Sequence, residues 1–182
     1  MNDEITMKPF RDEWLNKLFK LALEGEWEKF CFEVTWSGST SKMDAAVSAF
    51  YDMMPDSMKY DFIIDLYSNH GDSSPKVRQA LRGLRKYGKP KLPDELKDAE
   101  FITVYRGGNG AEDVQKAKYC ISWTTDKDKA FWFRDRKKFI GDNEAKVFSG
   151  IIKPEKVIAY NDDREEKEIM QYRNVRNIII IG

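Results

Sequence analysis

An α+β fold is predicted for this chain, with helices gathered in its first half and short strands in its second. Three observations carry that reading. Apolar residues recur at helical spacing as far as about residue 86, and the pattern then changes to short β-branched and aromatic runs after residue 100. Between the two regimes lies Lys89-Pro90-Lys91-Leu92-Pro93, a proline-bearing stretch suited to a linker. The expected division is therefore a helical region over 1–97 and a second domain over 98–182.

Taken in order, Trp14, Leu15, Leu18, Leu21 and Ala22 form the stripe of a first helix that ends near Glu24-Gly25. Ser41, with Asp44 three residues on, signals the start of a second. Its apolar face is Met43, Ala46, Val47, Phe50, Tyr51 and Met54, and Pro55 stops it; the methionines read as core filler. A third helix over about 56–68 buries Phe62, Ile63, Leu66 and Tyr67. Ser74-Pro75 is a cap with proline at the first helical position, opening a fourth helix expected to reach Lys86. Arg78, Arg82, Arg85 and Lys89 recur along it, as a solvated face, a phosphate-binding wall or a footprint for RNA or DNA. Tyr87 is the one aromatic among them, which argues against stacking of single strands there.

In the second half, strands are predicted at 101–105, 119–123, 146–152, 156–160, 168–172 and 177–181. A helix over about 126–134 is expected, capped by Asp126, with Ala130, Phe131 and Phe133 on or near its buried side. Gly107-Gly108-Asn109-Gly110 lacks the spaced third glycine and the following long helix of a dinucleotide-binding turn.

Composition bounds the function classes. The 182 residues hold 31 basic and 31 acidic side chains, so no global field draws the protein onto nucleic acid. A hydrophobic content of 41%, with 5 Trp, 8 Tyr and 11 Phe, is enough for a packed core. Cys31 and Cys120 are far apart, outside any metal-spaced cluster, and point to a reducing, cytoplasmic setting. The single histidine, His70, is expected in an exposed loop, and one histidine makes neither a zinc site nor a Ser/His/Asp hydrolase credible. No apolar run approaches the length of a membrane span, and the first residues do not read as a leader.

Three short pieces at the edges of apolar runs carry the chemistry: Tyr105-Arg106-Gly107, Ser122-Trp123-Thr124 and Glu165-Glu166-Lys167-Glu168. Arginine offers a planar, permanently charged fork suited to a diphosphate or a ribose-phosphate edge. Gly107 and Gly108 let backbone approach a bulky group. Ser122 can donate to a sugar hydroxyl or hold a carboxylate. Glu168 can stabilise the positive charge of an oxocarbenium-like transition state. On an extended chain Glu166 shares its face, so one carboxylate can manage the cation while the other activates an acceptor. Singly, each piece reads more readily as a salt-bridged arginine, a helix cap or a solvated charged loop. Together, in this order, they form a candidate cleft.

The pattern resembles the arginine–serine–glutamate class of mono-ADP-ribosyltransferases, the cholera-toxin-like enzymes. Val104-Tyr105-Arg106-Gly107 is similar to the arginine motif, and Ser122-Trp123-Thr124 to the Ser-Thr-Ser motif, with Trp123 where the family often has threonine. Ala130 and Phe133 resemble the residues that follow it, and Glu166-Lys167-Glu168, continued by Ile169-Met170, resembles the Glu-x-Glu motif. The resemblance spans roughly residues 101–182 and implies two small β-sheets around an NAD cleft. It implies NAD as co-substrate, bound through Arg106, Gly107, Ser122 and Thr124, with Trp123 or Tyr160 lining the nicotinamide pocket. It makes Glu168 and Glu166 catalytic and favours protein arginine as acceptor, with no metal. Small members of the class occur in phages and in toxin–antitoxin systems, which adds an antitoxin or inhibitor to the implied partners. An RNA- or DNA-modifying transferase and a non-catalytic interaction module on the same fold are the competing readings.

Overall fold

The computed structural model describes residues 9–71, 74–162 and 165–182. The chain divides into two compact units, with the boundary between Gly88 and Lys89. The stretch Lys89–Lys97 thus folds with the second unit, where Leu92 and Leu96 pack against the core.

The first unit is a bundle of helices. Helix α1 (Glu13–Leu23) starts at Asp12, whose carboxylate accepts the amides of Trp14 and Leu15. It ends where Gly25 takes a φ of 74°, and the amides of Gly25 and Glu26 turn back onto the carbonyls of Ala22 and Leu21. That turn leads straight into α2 (Trp27–Thr35), a helix absent from the sequence expectation although Trp27, Phe30 and Val34 are its buried stripe. Phe30 is the aromatic hub of the unit, with ring centroids 5.3 Å from Trp27, 5.4 Å from Phe50 and 6.0 Å from Phe62.

Helix α3 (Thr40–Phe50) is capped by Ser39 rather than Ser41. Asp44 instead accepts the Ser74 hydroxyl at 2.5 Å and the Lys76 amide at 2.9 Å, joining α3 to the start of α5 (Pro75–Leu81). Ser74 meanwhile caps α5 by accepting the Val77 amide at 3.1 Å. The basic stripe is not one helix face, because α5 stops at Leu81 and a separate 3-10 turn covers Leu84–Lys86. His70 is not a loop residue: it closes α4 (Asp56–His70), with its Nε2 2.7 Å from the Thr35 carbonyl oxygen. Lys59 is buried, bonded to Asp56 at 2.8 Å and set over the rings of Tyr51 and Tyr87. The Asp56 bond raises its pKa.

The second unit is built on one antiparallel sheet of six strands, in the order β4-β5-β2-β1-β3-β6. The strands are β1 (Ile102–Gly108), β2 (Ser122–Thr124), β3 (Lys146–Ile152), β4 (Ala159–Asn161), β5 (Glu168–Met170) and β6 (Arg176–Ile180). The expectation of two small sheets is thereby corrected. Short β2 pairs with β1 on one side and β5 on the other, so strands that two sheets would have separated stay hydrogen-bonded in one. Three helices accompany the sheet: α6 (Asp94–Lys97) and α7 (Val114–Lys118), both unforeseen, and α8 (Lys127–Phe139), capped by Asp126 as expected. The core comprises Ile102, Val104, Ala117, Trp123, Phe148, Ile152, Val157, Ile169 and Val175. At one sheet edge β6 shifts register against β3 between Ser149 and Ile151, and its Asn177 has a φ of 52°.

Two outcomes follow for the helical unit. Asp44→Ala leaves the buried Ser74 hydroxyl and the Lys76 amide without their acceptor, and should lower the unfolding free energy by about 1–3 kcal/mol, read from urea denaturation. Burial, reinforced by Tyr87, Asp52 and Asp56, pushes the Tyr51 phenol up from 10.0 to about 12. Its buried hydroxyl finds no hydrogen-bond partner among the described residues. A raised folded-state pKa gives stability that is complete below pH 10.0 and lost as pH rises towards about 12, because the native state then holds the extra proton. Tyr51→Phe should weaken the loss of melting temperature across that window; an unchanged alkaline profile would count against a buried phenol.

Candidate functional site

Strand register assembles the site. Tyr105 pairs with Thr124, Thr124 with Glu168, and Glu168 with Asn161, so a single cross-strand row links β1, β2, β5 and β4. Ser122 lies two residues from Thr124 and shares its face. Its hydroxyl crosses the diagonal to donate to Glu168 Oε1 at 2.5 Å. Glu168 is 7% exposed, so its carboxylate sits in a largely desolvated place held by a hydroxyl.

Glu166 reaches the same cavity by another route than an extended chain. Strand β5 begins only at Glu168, and Glu165 and Lys167 have φ values of 53° and 44°, the left-handed region. Contacts to β2 and to Asp162 fasten this turn, where the Glu165 amide also donates to the Asp162 carbonyl at 2.9 Å. Thr124 Oγ1 donates to the Glu166 carbonyl at 2.6 Å, the Thr125 amide to the Lys167 carbonyl at 3.1 Å, and the Lys167 amide to Asp162 Oδ1 at 3.1 Å. Thr124 thus shapes the glutamate turn, and its oxygen also accepts the Asp126 amide at 2.9 Å at the start of α8.

Arg106 is held by the protein itself. Its Nε and Nη2 donate to the two carboxylate oxygens of Glu112 at 3.2 and 3.3 Å, and Nη1 donates to the Ser122 carbonyl at 2.9 Å. The guanidinium therefore steadies the backbone of the serine whose side chain holds Glu168. Glu112 escaped the sequence reading because it stands in a polar loop with no periodic signal. The clue was chemical: a half-buried arginine requires a carboxylate, and Glu112 and Asp113 are the first acids after it.

The glycines serve packing. A Cβ on Gly107 would lie 2.5 Å from the Ala130 carbonyl oxygen and 2.7 Å from the Arg134 nitrogen, so its bareness admits α8 against β1. A Cβ on Gly108 would meet a Phe148 ring carbon at 2.6 Å and Glu112 Oε2 at 2.7 Å.

These elements enclose a cavity of about 180 Å³ lined by Tyr105, Arg106, Gly107, Ser122, Trp123, Thr124, Phe133, Lys137, Glu166 and Glu168. Every sequence-nominated site residue except Tyr160 borders it. Tyr160 packs on the hydrophobic core, where burial raises its pKa. Trp123 borders the cavity but is 2% exposed, belongs to the core, and its indole N–H donates to the Cys120 carbonyl at 3.1 Å. Aromatic lining that the sequence reading did not nominate comes from Tyr105 and Phe133, and Lys137 adds a cation from α8. No cluster of three His, Cys, Asp or Glu suited to a metal occurs among the described residues, and no described helix is long and apolar enough to cross a membrane.

No family model, curated protein or solved structure matches this chain.

Arg106→Lys removes the two-pronged grip on Glu112 and the bond to the Ser122 carbonyl while keeping the charge. The second unit should lose about 1.5–3 kcal/mol of stability in urea titrations, and an unaltered midpoint would show that the guanidinium is not a structural tie.

Proposed function

We propose that this chain is a mono-ADP-ribosyltransferase that moves ADP-ribose from NAD to a macromolecular acceptor, with protein arginine the acceptor class. The observation that carries the reading is the Ser122–Glu168 hydrogen bond inside a cavity that Glu166 also lines. A buried carboxylate fixed by a hydroxyl, with a second carboxylate beside it, suits stabilisation of a ribosyl cation followed by activation of a nucleophile.

The cavity is smaller than the ~300–1,000 Å³ usual for ligand pockets, which fits the nicotinamide–ribose end of the dinucleotide rather than all of it. Tyr105 and Phe133 supply its aromatic lining. Lys137 and Arg106 are the cations available to the diphosphate, and Lys137 is the better placed because Arg106 is already matched to Glu112. Glu168 faces the ribose. As the glycosidic bond breaks, nicotinamide leaves with the bonding electron pair and becomes neutral, and positive charge develops at the ribose carbon near Glu168. The acceptor nitrogen attacks that carbon, and its proton passes to Glu166. The left-handed backbone on either side of Glu166 supports a functional reading, since such strain collects at sites where a side chain must be aimed. The chain would act in the cytoplasm as a phage- or toxin-type effector, answered by an antitoxin or inhibitor.

Two variants test the roles. Glu168→Gln keeps the Ser122 contact but loses the charge facing the cation, so nicotinamide release from NAD should fall by orders of magnitude with NAD binding retained. Glu166→Ala should abolish labelling of protein arginine yet leave slow NAD hydrolysis, because water needs less activation than a guanidinium. Measuring nicotinamide release and label transfer in parallel separates the two. Near-normal turnover by Glu168→Gln would end the transferase reading, and wild-type labelling by Glu166→Ala would end the arginine assignment.

A further inference from the structure

The helical unit carries a groove of about 530 Å³ between α2 and α4 that the proposed chemistry does not use. Its floor is apolar: Phe62 is 3% exposed, and Met58 lies half-buried nearby. Its rim carries Phe32 and Trp36, which remain 63% and 74% exposed. The two rings stand 6.0 Å apart at 41°, Phe32 in the last turn of α2 and Trp36 capping its end, so they form an aromatic ridge. Side chains this large and this exposed, side by side over a concave apolar floor, are what a binding surface presents and a solvated helix face does not.

Charge identifies the occupant. Glu28 on α2 and Asp61 and Asp65 on α4 border the groove, and among the described residues no lysine or arginine does. Asp61 and Asp65 stand one helical turn apart, and all three carboxylates are exposed. In a chain with no net charge this is a locally acidic place. Cys31, half-buried, also borders the groove, and burial first, then the charge of Asp65, push its thiol up to about 12. Phosphates would be repelled here. A guanidinium satisfies every feature at once, because it stacks on aromatic faces, pairs with carboxylates and is shed from water more easily than an ammonium.

We propose that this groove docks an arginine-bearing segment of a partner protein, with arginine against the Phe32–Trp36 ridge, its charge met by Asp61 and Asp65, and an adjoining apolar side chain over Phe62. The proposal stands apart from the transferase reading, since the groove lies wholly in the helical unit and its test involves neither NAD nor the glutamate cavity.

The test is fluorescence anisotropy with the full chain and a short labelled peptide alternating arginine and leucine, beside the same peptide with glutamate for arginine. The arginine peptide should bind and the glutamate peptide should not, and added salt should weaken the complex. Trp36→Ala should weaken it about tenfold or more, as should the shape-preserving pair Asp61→Asn and Asp65→Asn. Circular dichroism verifies folding, and if Trp36→Ala perturbs it the asparagine pair decides alone. Absence of binding by the arginine peptide, equal binding of both peptides, or indifference to the asparagine pair would overturn the proposal. So would tighter binding of a single-stranded oligonucleotide to the same groove, or self-association abolished by Trp36→Ala, which would make the face a contact between copies of this chain.

Discussion

The row Tyr105–Thr124–Glu168–Asn161, drawn across four antiparallel strands, is the constraint on which the second unit depends. Side chains alternate between the faces of a sheet, so a slip of one residue in β5 would carry Glu168 into the hydrophobic core and bring Ile169 out in its place. The cost of burying an unmatched carboxylate is what makes this register definite. The two hydroxyl contacts of the cavity follow from it. Ser122 reaches Glu168 because it lies on the diagonal of that row, and Thr124 reaches the Glu166 carbonyl because it lies on the row itself.

Arg106 and Glu112 form the electrostatic counterpart of this register. The two are 18% and 11% exposed at the side chain, so neither charge would be tolerated there alone. Their match spends most of the attraction that the guanidinium could offer an incoming anion. Its contribution to the site is chiefly mechanical: it fixes the backbone oxygen of Ser122 while that residue's hydroxyl stays with Glu168. The cavity thus combines in its lining an arginine already paired with Glu112, two carboxylates and one lysine from α8.

Much of this was legible in the residues, and the failures have physical causes. Strand β3 (Lys146–Ile152) has the predicted bounds because seven consecutive residues read as one β run, and Ser74 and Asp126 cap helices as their positions indicate. The expectation of two sheets rested on the resemblance alone, since three residues of β2 and three of β5 cannot reveal by periodicity which strands they will join. Helix α2 was missed although Trp27, Phe30 and Val34 are properly spaced, because it follows α1 after so brief a turn. Arg106, Ser122, Thr124, Glu166 and Glu168, nominated by their order along the chain, line one cavity, but that order does not give the direction of each side chain. Trp123 turns to the core and Tyr160 packs there too, because alternation on a two-sided sheet is a tertiary fact. Glu166 sits beside Glu168 through a left-handed turn that no extended-chain rule supplies.

Strand β6 lies at the sheet edge, with Ile179 and Ile180 58% and 50% exposed. A long, flat, isoleucine-rich edge is a template on which further chains can add strand by strand. Here the left-handed residue at Asn177 and the register shift opposite it break the run of evenly spaced donors and acceptors, and Arg176 places a charge at its start. The same irregularity that looks like a defect in the ladder therefore shortens the stretch open to foreign pairing. A shorter regular edge on this side of the sheet offers less of a template for fibrous assembly.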